Sequence, residues 1–133
     1  MHGNRPGLIA GSSKTGRAKH KAWRAAVKAA AEQVRADEPY DGPLGITIDF
    51  RFPMPKSRPA PLKRLGIGWH TVKPDTDKVL RATLDGLSDG LLIVDDARIC
   101  RFHITAVETT GTPGAQIVLH QLDPIRPDLA VAA

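Results

Sequence analysis

Apolar and polar residues change period several times along the chain, and each change marks an element. From Lys19 to about Ala36, Trp23, Val27, Ala30, Ala31 and Val34 recur at helical spacing beside a basic stripe of Lys21, Arg24 and Lys28. A helix is predicted there, with Trp23 as a core anchor. Asp41-Gly42-Pro43 breaks that period, and Leu44 to Phe52 then alternates, with Ile46, Ile48, Phe50 and Phe52 against Thr47, Asp49 and Arg51. Such alternation predicts a half-buried strand, with Asp49 in its solvent-facing set. Pro53 to Pro61 is a proline-rich basic loop, because its prolines deny it regular hydrogen bonding. Trp69 to Val72 fits a short strand.

Helical spacing returns in Val79, Leu80, Leu84 and Leu87. Pro74 disfavours helix at Lys73, so the helix starts with Asp75 or Thr76 as its cap and runs to Ser88. Asp89-Gly90 supplies a turn, and Leu91 to Val94 reads as a short buried strand. Arg98 to Glu108 alternates again, with Cys100, Phe102, Ile104 and Ala106 on one side. Gly111-Thr112-Pro113-Gly114 predicts a hairpin joining it to Gln116 to Leu122.

These elements predict a single α+β domain, a mixed and mostly antiparallel sheet with helices packed on it. At 133 residues the chain suits one core. Its boundaries are a basic arm over 1–18, rich in glycine and serine, a folded unit over 19–123 and a tail over 124–133. No apolar run approaches the roughly 20 residues of a membrane helix, which gives a soluble cytoplasmic protein as the expectation. Cys100 is the sole cysteine, so an internal disulfide and a zinc–cysteine cluster are excluded, and a small buried residue is expected there.

Charge adds what periodicity cannot. The net charge is +5, but its distribution matters more than its size. Arg51, Lys56, Arg58, Lys63, Arg64 and Lys73 follow one another without an acid; then Asp75, Asp77, Asp85, Asp89, Asp95 and Asp96 dominate. A basic surface around an acidic pocket suits a polyanion gripped by its backbone and a metal held where the acids lie. Inside a helix, two residues two positions apart point about 200° apart. With Asp75 in the non-helical cap position, its carboxylate is free to turn toward that of Asp77. A helix folded back on the next segment brings Asp96 toward both. Mg²⁺ takes octahedral oxygen ligands and keeps waters and substrate phosphate, so three such acids suit a phosphodiester-cleaving site. Arg81, four residues after Asp77, shares its helix face and is placed to offset charge on a phosphate. Lys56, Arg58, Lys63 and Arg64 are candidate DNA contacts, with Lys73 and Lys78 beside the acids. His70 lacks a partner spacing, and His20, His103 and His120 lack metal-ligand spacing.

Lys73-Pro74-Asp75-Thr76-Asp77, a helix carrying a basic residue, and Asp95-Asp96 before an alternating strand together resemble the RusA family of Holliday junction resolvases. The resemblance extends more loosely from about Lys19 to Gln121. It implies that Asp75, Asp77 and Asp96 hold a divalent metal, that Arg81 takes a helix position usually held by lysine, and that Asp95 is the partner of the acidic pair. It also implies a homodimer acting on branched DNA. Lys78 stands where the family often has asparagine, and Ala106 where a lysine often ends the strand. The family's usual first strand is reduced to Leu8-Ile9-Ala10.

Two other readings use the same residues. In one, a non-catalytic protein binds branched or single-stranded DNA, and the acids are only helix caps and turns. In the other, a metal-stabilised interaction domain has no DNA partner, and its binding does not weaken as salt rises.

Overall fold

In a computed structural model, residues 16–125 are described. The N-terminal arm through residue 15, with Leu8 to Ala10, and the tail beyond residue 125 lie outside them. The elements are α1 (Gly16–Val34), β1 (Leu44–Pro53), α2 (Ala60–Leu65), β2 (Ile67–Trp69), α3 (Thr76–Asp89), a 3₁₀ turn (Asp96–Arg98), β3 (Ile99–Thr109) and β4 (Gly114–Gln121). The four strands form one sheet in the order β2-β3-β1-β4. β1 and β3 run parallel, while the β1–β4 and β2–β3 pairs are antiparallel, which is the mixed, mostly antiparallel sheet expected. Parallel neighbours require a crossover, and α3 lies in it.

β1 organises the core because its alternation is nearly perfect. Ile46, Ile48, Phe50 and Phe52 are all buried and pack with Trp23, Val27 and Ala31 of α1 and Val79, Leu84 and Leu87 of α3. Both helices therefore lie on one face of the sheet. Trp23 is the anchor its spacing suggested: it is wholly buried, and its indole N–H donates to Thr83 Oγ1 at 2.8 Å. The Thr83 hydroxyl in turn donates to the Val79 carbonyl at 2.8 Å. The helices cross closely at two glycines. A Cβ on Gly86 would come within 2.7 Å of the Arg24 carbonyl and of Val27 Cβ, and one on Gly90 within 2.7 Å of Ala31 Cβ. Arg24 fastens the same crossing from outside through Asp89, at 2.6 and 3.0 Å.

Four expectations are corrected. The short strand expected at Trp69 to Val72 lies at Ile67–Trp69, and His70 to Val72 are outside it. β4 does not form a hairpin with β3: it lies on the far edge of β1, with Ile117 opposite Ile48 and Leu119 opposite Ile46. Next to the turn, Val107 to Thr109 of β3 already have β1 on one edge and β2 on the other, whereas β1, the most apolar strand, needs a partner on its second edge. Leu91 to Val94 is not a strand. Leu91 turns the chain with φ 59°, which interrupts the extended backbone, and only Ile93 bridges to Tyr40 and is buried. Cys100 is exposed. The β1–β3 register passes from Leu44 opposite Ile99 to Gly45 opposite Arg101, so Cys100 sits unpaired at a bulge.

Candidate active site

The start of α3 is built as the sequence suggested. Asp75 is its N-cap residue, in extended conformation at φ −66° and ψ 130°. Its side chain does not cap the helix. The carboxylate instead accepts from Lys73 Nζ at 2.8 and 3.0 Å, with Lys78 Nζ at 3.9 Å. The hydrogen bond from Lys73 holds the Asp75 acid below the usual carboxylate range. Asp77 follows in the first helical turn, exposed, where the aligned peptide dipoles favour a negative charge. It lies on the ridge between two open clefts. One, of about 640 Å³, runs from His70 through Asp75 to Asp77; the other, of about 570 Å³, lies between α1 and α3 and is lined by His20, Lys21, Arg24, Lys78 and Arg81.

The adjacent acids Asp95 and Asp96 divide their labour. Asp95 caps the 3₁₀ turn, its carboxylate accepting from the Ala97 N–H at 3.0 Å, and that bond holds the Asp95 acid below the usual carboxylate range. Asp96, held by that cap at the first position of the turn, accepts from the Arg81 guanidinium. Arg81 comes from α3 one turn beyond Asp77 and also lies 3.6 Å from Asp85. Its charged form is favoured chiefly by the bond to Asp96. Arg24 reaches the other side of Asp85 at 3.5 Å, so alternating charges run from Asp96 through Arg81, Asp85 and Arg24 to Asp89.

The structure thus brings Arg81 to Asp96 and sets Asp75 and Asp77 around one cleft. Among the described residues, no three His, Cys, Asp or Glu side chains gather into a metal-holding group. In donor chemistry, Asp75, Asp77 and Asp96 suit a hard divalent cation: they offer carboxylate oxygens only, and none of the three is buried. Lys73 and Arg81 now neutralise two of them.

The basic loop divides as well. Lys56, Lys63 and Arg64 are exposed, and no ion pair engages them among the described residues. Arg58 is instead half-buried, its guanidinium on the buried Glu108. Two contributors escape a reading of the sequence. His70 stacks on Phe52 with ring centroids 3.9 Å apart, and its Nε2 lies 2.7 Å from the Pro74 carbonyl. A carbonyl only accepts, so Nε2 donates and the imidazole braces the turn into Asp75. No spacing announces this contact. Glu108 does have a signal: it shares the parity of Cys100, Phe102, Ile104 and Ala106, an acid on the apolar side of a strand.

The family model described as endodeoxyribonuclease RusA matches residues 9–120 of this chain. No curated protein matches it.

Proposed function

The chain belongs to the endodeoxyribonuclease RusA family, divalent-metal-dependent enzymes that resolve Holliday junctions, and we propose that it nicks four-way DNA at a Mg²⁺ site formed by Asp75, Asp77 and Asp96. The observation that carries this reading is the contact of Arg81 with Asp96, which sets a cation and an acid from two segments side by side on the helix face that begins at Asp77. When bound, Mg²⁺ supplies Lewis acidity toward the scissile phosphate and makes a water more acidic. The protein's own groups do the rest. Arg81 is open to solvent on one side and aligned with Asp77, and it offsets charge on the phosphate in the transition state. Lys73 and Lys78 bind the flanking phosphates. Lys56, Lys63 and Arg64 grip the backbone further out, with Arg58 beneath them.

A four-way junction has approximate two-fold symmetry and needs two matched cuts, so a C2 homodimer with one site per subunit is the assembly we assign. The nuclease unit spans 19–123 between its arm and tail. It works in the cytoplasm on recombination and repair intermediates. Among the described residues, no helix is long and apolar enough to cross a membrane. The rival in which the acids serve only as caps accounts for Asp95 but not for Asp75, whose carboxylate leaves the helix uncapped.

The test is Asp75→Asn combined with Asp96→Asn, assayed on a synthetic mobile junction with Mg²⁺ or EDTA and with linear duplex as control. Paired nicking is expected to fall by about 10²-fold or more while junction binding persists. Cutting at the wild-type rate would falsify the assignment.

A further inference from the structure

Glu108 is the one acid in the buried part of the described chain, 1% exposed, and it faces the core from the apolar side of β3 opposite Phe52. A buried carboxylate persists as an anion only when it is paired and hydrogen-bonded. Its partner arrives from fifty residues away. Arg58 Nε and Nη2 donate to the two carboxylate oxygens at 2.7 and 3.0 Å, a planar fork on a planar acceptor that fixes direction as well as distance.

The segment that Arg58 belongs to has little else to hold it. α2 is six residues long and buries none of them, and a helix so short is unstable by itself. Its remaining fixings are peripheral. Arg58 N–H donates to the Pro55 carbonyl at 3.2 Å, Gly66 closes α2 with φ 80°, Thr110 N–H donates to the Gly66 carbonyl at 3.1 Å, and β2 adds three residues to the sheet edge. The exposed Lys56 lies two positions before Arg58, and the exposed Lys63 and Arg64 lie just after it on α2.

We propose that Arg58 and Glu108 are positioning residues for DNA recognition: their buried pair pre-orders residues 56–64 so that Lys56, Lys63 and Arg64 meet the sugar–phosphate backbone as a fixed array. The inference rests on the reading of this loop as a DNA contact. Pre-ordering removes a cost that binding would otherwise meet, that of immobilising long side chains on a loose segment. An apolar pair of similar volume would pack the same space as stably, since buried ion pairs add little net stability over such a replacement. The guanidinium fork adds orientation.

The test measures junction binding in EDTA, across a salt series, for Arg58→Met combined with Glu108→Leu. Arg58→Lys, which keeps the charge and loses the fork, serves as the second variant, and thermal melts are run on both. The double variant is expected to melt near the wild type and bind the junction about tenfold more weakly. Its log K against log salt slope is expected to be shallower by about one to three, because that many phosphates are no longer neutralised. Arg58→Lys shifts both in the same direction by less, and it decides the matter if the double variant does not fold. A companion, Lys56→Gln with Lys63→Gln and Arg64→Gln, separates the two ideas. If it loses binding while both Arg58 variants keep wild-type affinity and slope, the positioning role is overturned and the loop remains a DNA contact. If the companion binds as the wild type, the loop reading falls and the inference with it.

Discussion

Replacing Arg81 by glutamine lowers stability slightly and cutting strongly while it raises metal affinity. Arg81 is 61% exposed, so losing its bonds to Asp96 and Asp85 costs at most about 1 kcal/mol of folding stability. The guanidinium also occupies Asp96 and adds a positive charge where the proposed site takes its cation. A unit charge about 4 Å from a divalent ion is worth about 2 kcal/mol under water-like screening, and the exposure of Arg81 puts it in that regime. Its removal therefore tightens Mn²⁺ or Mg²⁺ binding by about thirtyfold. Cutting moves the other way, falling by about 10²–10³-fold, because the group proposed to offset charge in the transition state is gone. The assay pairs calorimetric Mn²⁺ titration with single-turnover cleavage of a junction at saturating metal, and Arg81→Lys is the charge-preserving control. Weaker Mn²⁺ binding by the glutamine variant would refute the reasoning, since Arg81 would then be orienting Asp96 rather than competing for it.

At the helix crossing, Gly86→Ala forces a methyl onto the Arg24 carbonyl and Val27 Cβ, both at 2.7 Å. Overpacking of about 2–3 kcal/mol exceeds the roughly 1 kcal/mol that alanine gains in helix propensity, so the melting temperature drops by several degrees; an unchanged melt would show that the helices part without cost. His70→Ala removes the donor to Pro74 and the ring on Phe52, and slows single-turnover cutting by about 10–100-fold, whereas His70→Gln recovers part of the rate; equal rates for wild type and both variants would dismiss the brace. In acid, Asp89 titrates below its ordinary value of 3.8 because Arg24 bonds to its charged form. A depressed carboxyl contributes stability that is present above the unfolded value and lost as pH falls through the folded one, so melting should be flat from pH 7 to about 5 and fall below about 4. Asp89→Asn should flatten that acid limb, and an unaltered limb would count against the α1–α3 pair.

Periodicity carries the sequence a long way. The alternation of Ile46 to Phe52 locates β1 and its buried face, and the stripe around Trp23 locates α1. Pro74 and the acids after it place Asp75 at the first cap of α3. A period of two, however, says which way side chains point and not which strand lies alongside, so it suggests a β3–β4 hairpin although β1 has the open edge. The apolar run at Leu91 to Val94 misleads similarly: its composition suits a strand, but Leu91 turns the chain with φ 59° and only Ile93 makes a bridge, to Tyr40. Arg58 looks like another surface cation because nothing local distinguishes it from Lys56. Its fate depends on Glu108, fifty residues away.

Where each negative charge is neutralised separates the acids that serve the fold from those able to serve the site. Glu108 is buried and held by a fork, so exchanging its partner would leave a charge out of water at a cost of several kcal/mol. Asp95 is committed to the backbone of the turn it caps. Asp75 and Asp96 are paired with Lys73 and Arg81, whose side chains are 74% and 61% exposed, and exposed pairs of this kind are worth about 1 kcal/mol or less. In the proposed site, trading those partners for a cation and a phosphate would disturb the fold little, and Lys73 and Arg81, once displaced, would remain beside the anion they are suited to bind. The uncapped start of α3 fits the proposed metal role of Asp75. A carboxylate committed to the helix N–H groups would lose those bonds to accept a metal, whereas one held by a flexible lysine has only to release it.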